Sequence, residues 1–433
     1  MSKLRRYFCF FLFLLICLGC SRGSGKYKLP LVNIAGFEVA DLDPQKLTNR
    51  SIKLSQLVED IKVVQLQTTD SSMIANSTDY KVGEKYILAV FNDEIYQFSI
   101  TGEFIRLVAK KGMGPGELNA VRKNVRYDMD EHSDLLYVSI LDRLYLYKLS
   151  TGEFLGNKRL RAVDNMSEAI SIVYAPDSLF IYSFYSRGGL PEDSLGCGIA
   201  VQDWGGDLIW EKRFDFKTWT VYPPPINYEL LHGSSISVVK TDAPGEYIIQ
   251  INNQDSSYVF SLDDFSIRPY LLVRTKGPLK GNYPVDYISV GSYQIKGEFN
   301  CTNNFRLMNM YLIKNLAGFP SSLEAYNYYI LYDDKTRTAF NIEQFTDDYF
   351  GFIHSRDKST QKLPVYPSFV SPSGKVLLTY EASYFLKLKE EKLKEPSLSP
   401  EIVDRINMYS RDLTEFSNPV LIIGKVRKVI RLD

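Results

Sequence analysis

Thr101-Gly102-Glu103-Phe104 returns as Thr151-Gly152-Glu153-Phe154, 50 residues further on, and both copies have the same surroundings. Lys85 to Phe91 is an apolar run, Asn92-Asp93 a turn, and Tyr96, Phe98 and Ile100 alternate with polar residues before the first copy. Phe104 to Val108 then starts a third strand. The second copy repeats the plan with Leu135 to Ile140, Asp142-Arg143, the alternating Tyr145, Tyr147 and Leu149, and Phe154-Leu155. Period-two alternation between turn residues is the signature of β-hairpins. Three antiparallel strands in about 50 residues, with a fourth in the linking stretch, are the content of one propeller blade.

Fainter copies follow, with turns at Gly205-Gly206-Asp207, Asp263-Asp264 and Asp333-Asp334-Lys335. Their spacing lengthens to roughly 70 residues, as loop insertions in later blades would produce. The expected fold is therefore all-β, a single propeller over residues 51–433; the repeat count alone allows five to seven blades. One helix breaks the pattern at about 399–416. Ser399 is placed to cap it, Pro400 suits its first turn, and Ile402, Ile406, Tyr409, Leu413 and Phe416 recur at helical spacing. Asn418-Pro419 ends it, and Val420 to Ile423 returns to strand, placed to close the ring beside Ile61 to Leu66.

The composition agrees. With 45% hydrophobic residues, 13% aromatics and 51 basic against 51 acidic side chains, the 433-residue chain has a real core and no basic surplus. That excludes a disordered chain and argues against a nucleic-acid partner. Lys3, Arg5 and Arg6 precede an apolar run from Tyr7 to Leu18, too short to span a bilayer comfortably and typical of a secretory signal over residues 1–19. Residues 20–50 then read as a tether and lead-in. Five cysteines reduce to two in the mature fold, Cys197 and Cys301, which are either bridged in an oxidising compartment or two buried thiols.

Cys17-Leu18-Gly19-Cys20 resembles a bacterial lipobox, which makes Cys20 the acylated residue. Ile52 to Thr69, Gly112-Met113-Gly114-Pro115-Gly116-Glu117-Leu118 and Asn418-Pro419-Val420-Leu421 resemble three stretches of the six-bladed β-propeller lipoproteins common in Bacteroides-like bacteria, relatives in shape of NHL-repeat propellers. The resemblance implies six four-stranded blades and an exported lipoprotein. By analogy with enteric sorting, Ser21 after the lipidated Cys20 points to the outer membrane. The lack of an acidic cluster in the tether points to its periplasmic face. The family is defined by shape rather than by a known reaction.

Candidate sites are few. Gly112 to Glu117 looks like a phosphate loop, yet Pro115 removes an N–H that such a loop needs. Gly114-Pro115-Gly116-Glu117 instead fits a type II turn with Glu117 as its anchor. His132, His232 and His354 fall about every second blade, which raises the alternative of a three-imidazole metal site. Their unlike surroundings favour unrelated loop histidines, and no metal or other cofactor is expected. Trp204 and Trp210 flank a turn as a cross-strand pair. Trp219, Tyr222 and Tyr228 lie on a stretch stiffened by Pro223-Pro224-Pro225, as suits stacking on a sugar or anchoring a protein partner. Lys387 to Lys394 reads as a solvated helix or loop of mixed charge. Adjacent acids such as Asp347-Asp348 point to opposite faces, and no hydrolase signature is present in the sequence. The expected function is a noncatalytic binding or scaffold module for a glycan or envelope protein, touching the membrane through its lipid. The alternative is a hydrolase or lyase acting on polysaccharide or peptide.

Overall fold

In the computed structural model, the residues described are 27–34, 36–74, 79–119, 125–163, 167–186, 197–214, 236–241, 243–251, 256–273, 297–302, 305–315, 323–357, 363–370 and 374–428. They form six four-stranded antiparallel blades, matching the expected fold. Blade I is Asp79–Val82, Tyr86–Phe91, Glu94–Ser99 and Phe104–Ala109; blade II is Arg126–Asp130, Leu135–Ile140, Arg143–Lys148 and Phe154–Arg159. Blade III is Ser167–Ala175, Leu179–Ser186, Cys197–Asp203 and Leu208–Phe214; blade IV is Ile236–Lys240, Glu246–Ile251, Ser256–Ser261 and Ile267–Val273. Blade V is Gly297–Thr302, Phe305–Asn315, Leu323–Asp333 and Thr338–Asp347. Blade VI combines Ser368–Val370, Lys375–Tyr380 and Val420–Val426 with the early strand Val58–Gln65, so the two ends of the chain close the ring in one sheet.

Closure is also visible in the core. One apolar cluster fills each interface, from blades I and II round to VI and I. At the II–III interface, for example, Tyr137 and Leu146 meet Ile172, Phe180 and Tyr182. Alternation in the middle strands puts one set of side chains into the preceding interface and the other into the next, as Leu136 and Val138 face blade I while Leu135 and Tyr137 face blade III.

The quoted tetrapeptide forms the turn between the third and fourth strands. Ser99 N–H donates to the Glu103 carbonyl at 2.8 Å, and Lys148 N–H donates to that of Glu153 at 2.8 Å. Phe104 then packs on Phe98 with ring centroids 5.6 Å apart, and Phe154 on Tyr147 at 5.4 Å. Each turn also docks on the outer strand of the preceding blade. Gln67 N–H donates to the Gly102 carbonyl at 2.8 Å, and the Arg106 guanidinium donates to the Ser150 carbonyl at 3.0 Å.

Gly102 has φ of +94°, and a Cβ there would sit within contact distance of the Gln65 carbonyl oxygen. Gly102→Ala therefore lowers stability by about 2 kcal/mol, from a disallowed φ and a backbone clash together. Gly36→Ala, at φ of +89° with open space around it, isolates the backbone part at about 1 kcal/mol. Equal losses in thermal unfolding would remove the interblade contact from this account.

Three departures from the sequence reading have physical causes. The lead-in is folded from Tyr27 onward. Phe37–Leu42 adds a parallel strand to blade IV with Leu31–Ile34 beside it, and Tyr27–Lys28 and Asn49–Lys53 line the outer strand of blade V. The helical insertion holds two long helices after the short α1 (Leu54–Leu57): α2 (Ala382–Lys392) and α3 (Pro400–Ser410). Ser399 caps α3 as expected, but the helix stops at Ser410, where mutual Thr414–Ser417 hydrogen bonds build a turn instead. The charged run Lys387 to Lys394, expected as a solvated helix or loop, begins in the second half of α2 and ends just beyond it; the buried anchors of α2 are Ala382 and Phe385. Lastly, Trp204 and Trp210 do not pair. Trp204 stacks on Phe180 at 6.0 Å and Trp210 on Phe260 of blade IV at 5.0 Å, because Trp210 lies opposite Val201 in the register.

Candidate functional site

The two faces of the ring differ. On one, the turns from first to second and from third to fourth strand are short and bonded to neighbouring blades. Glu131 of blade II accepts N–H bonds from Glu84, Lys85 and Tyr86 of blade I at 2.8–3.0 Å, and Lys375 of blade VI bonds the Gly83 carbonyl and Glu84. The strands that flank the long connections 110–125, 215–235, 274–296 and 356–367 and the helical insertion 381–419 end and begin at the other face.

The Gly112 to Glu117 turn lies on that long-connection face and is structural. Gly116 has φ of +74° and Glu117 N–H donates to the Gly114 carbonyl at 3.0 Å, as a type II turn requires. The Glu117 carboxylate accepts from Gly114 N–H at 2.9 Å and pairs with Lys110 at 2.8 Å, which holds its pKa below the usual carboxylate range. Tyr147 of blade II donates its hydroxyl to the Gly116 carbonyl at 3.0 Å, tying the turn to the next blade.

The innermost strands of neighbouring blades pack side by side around the axis. Tyr80, Val82, Tyr127 and Met129 are buried, which leaves Asp79, Lys81 and Asp128 for the channel. Burial is the largest influence on Asp128 and raises its pKa; Lys81 and Lys240 pull it down and Asp79 pushes it up. Asp128 thus shares one electrostatic environment with charges from blades I and IV. Ser171 joins blades III and IV there, donating to the Val238 carbonyl at 3.1 Å and accepting its N–H at 3.2 Å. A channel with both signs of charge suits a polar or zwitterionic group. Sequence reasoning passed over it. The alternation in Arg126-Tyr127-Asp128-Met129-Asp130 was the signal for a strand.

The histidines are not brought together among the described residues. His132 is in an exposed turn on the short-turn face, where its N–H donates to Asp130 at 2.9 Å. His354 is buried between blades V and VI, stacked on Phe345, with Nε2 3.0 Å from the Tyr380 hydroxyl. Tyr380 in turn donates to Asp347 at 2.7 Å. His232 lies outside the described residues, and no metal-binding cluster occurs among the described ones. Asp347 and Asp348 diverge as expected: Asp347 is buried and Asp348 accepts from Ser55. Trp219, Tyr222, Tyr228 and Cys20 lie outside the described residues. So do the side chains of Cys197 and Cys301, whose strands belong to blades III and V with blade IV between them.

A family model described as Domain of unknown function (DUF4934) matches residues 37–425. A crystal structure of a "Putative exported protein" from Bacteroides fragilis superposes with a TM-score of 0.58 at 16% identity, over 90% of this chain and 99% of that one. This likeness establishes the fold. Regucalcin, a calcium-binding protein from Agrobacterium tumefaciens, gives 0.37 at 10% identity over 90% and 99% of the two chains. A luciferin-regenerating enzyme gives 0.38 at 7% over 85% and 97%. No curated protein matches the chain. Among the described residues no helix is long and apolar enough to cross a membrane.

Proposed function

We propose that this chain, which belongs to the DUF4934 family, is an exported, lipid-anchored propeller. In this reading it binds a glycan or an envelope protein on its long-connection face, as a binding or scaffold module without chemistry of its own. The asymmetry of the two faces carries the reading: short turns are consumed in holding blades together, while every long insertion is collected on the opposite side. The basic head, apolar run and Cys20 lipobox support export and acylation, with the outer membrane and its periplasmic face as the proposed location. Trp219, Tyr222 and Tyr228 belong to the 215–235 connection, whose flanking strands Leu208–Phe214 and Ile236–Lys240 respectively end and begin on the long-connection face. Aromatic side chains on a rigid ring lose little entropy on binding and stack well on sugars.

Asp128 favours a second reading, a hydrolase or lyase acting on polysaccharide or peptide. A half-buried carboxyl with a pKa raised by desolvation is what a general acid needs. Melting curves with envelope glycans and peptides distinguish the two. A ligand at 100 times its Kd adds about 2.7 kcal/mol. Trp219→Ala removes that gain and leaves the unliganded melting point unchanged. A ligand that still stabilises Trp219→Ala excludes that loop, and a compound consumed by the wild type but not by Asp128→Asn replaces binding with catalysis.

A further inference from the structure

We propose that the outer rim of blade V, around residues 333–337, is the surface that rests on the bilayer, with the long-connection face turned away from it. This rests on the reading of Cys20 as the lipid anchor. The chain joins the ring at Tyr27 and Lys28, which pair with Ala339 and Thr338, and Leu29 N–H donates to the Arg337 carbonyl at 2.8 Å. Leu29 is 2% exposed within the blade IV–V core, so the junction is fixed. Asn49–Lys53 occupies the same strand edge from Asn341 onward.

Cys20 and Tyr27 are seven Cα steps apart, which span at most about 25 Å. The outer strand Thr338–Asp347 has 10 residues and starts at the 333–337 turn. At about 3.3 Å per residue its far end lies about 26 Å from Ala339, the partner of Tyr27, on the long-connection side and at the limit of a fully extended tether. The acyl chains are therefore held to the short-turn end of blade V.

The exposed charge at that rim suits phosphate headgroups. Lys28 and Lys335 are exposed. The nearby acids are engaged: Asp333 accepts from Lys335 N–H at 2.9 Å, Thr336 N–H at 3.3 Å and the Thr336 hydroxyl at 2.7 Å, and Asp334 accepts from the Tyr270 hydroxyl. Basic residues beside a lipid anchor reinforce it on an anionic surface.

The test uses the full acylated chain on vesicles of phosphatidylethanolamine and phosphatidylglycerol. The photo-crosslinking residue p-benzoylphenylalanine is placed at Lys335 or, on the opposite face, at Met113 or Leu141, which are 82% and 40% exposed. Lipid adducts should form at Lys335 at least about fivefold more than at either control, since only that rim lies within reach of the tether. Equal or reversed yields, or no adducts at any position on sedimenting protein, overturn the orientation while the anchor stands. Cys20→Ala chain that sediments with vesicles as well as wild type does overturns the anchor itself.

Discussion

Asn418→Ala lowers the unfolding free energy by about 4 kcal/mol. Asn418 is fully buried where the ring closes. Its Oδ1 accepts the Ile74 N–H at 2.8 Å, and its Nδ2 donates to the Gln67 and Ser72 carbonyls at 2.7 and 2.6 Å. Its own N–H donates to the Thr68 hydroxyl at 2.7 Å. One side chain thereby fixes the connection from the outer strand of blade VI to the first strand of blade I. Alanine keeps the backbone bond but strands a buried N–H and a buried carbonyl, each costing about 1–3 kcal/mol. Gln67 retains a second donor in the Ser72 hydroxyl at 2.9 Å. Urea unfolding should show a lower midpoint with little change in slope. A loss under about 1 kcal/mol would show that closure does not depend on this residue.

The second large effect appears in the pH profile. Burial holds His354 down to about 4, so it is neutral in the folded protein. Burial pushes Asp347 up to about 6 against the pull of the Tyr380 hydroxyl and the N–H groups of Phe350 and Tyr349. Between about pH 4 and 6.5 the unfolded chain binds more protons at His354 than the folded one, so that residue's contribution makes stability rise with pH. Between about pH 4 and 6 the folded chain binds more protons at Asp347, so stability falls with pH by a similar amount. The two slopes nearly cancel in the wild type.

Asp347→Asn removes one of them. Relative to wild type, its stability should rise by about 3 kcal/mol between pH 4 and 6. His354→Gln should show the opposite trend, losing about 3 kcal/mol between pH 4 and 6.5 relative to wild type. Urea midpoints at both ends of the range read both slopes. Profiles parallel to wild type in both variants would contradict the buried, neutral state of the pair.

These two sites show what the sequence could and could not disclose. The Thr-Gly-Glu-Phe repeat, the Gly114 to Glu117 turn, the Ser399 cap and the final strand against Val58–Gln65 were legible because each is local or ends a repeat. α2 was left undecided between helix and loop because two buried residues among lysines and glutamates leave almost no helical periodicity. His354 looked like a loop histidine, although buried and exposed residues alternate through Phe352-Ile353-His354-Ser355. Its partners Tyr380 and Asp347 come from another blade and from the preceding hairpin arm. The Asp128 channel was illegible for the same reason, since it is assembled from first strands far apart in sequence. Asn418 was read as a helix stop; its capture of residues 67–74 depends on a contact across nearly the whole chain.

The central claim is that the long-connection face does the binding. Amide hydrogen exchange, with and without the glycan or peptide that raises the melting point most, tests it directly. Added protection should fall on the 110–125, 215–235 and 356–367 connections, the α2–α3 insertion or the first-strand ends around Asp79 and Arg126. Protection confined to the short turns at Ser99 to Phe104, Glu131 to Asp134 and 333–337 would contradict the account and make the opposite face the working one.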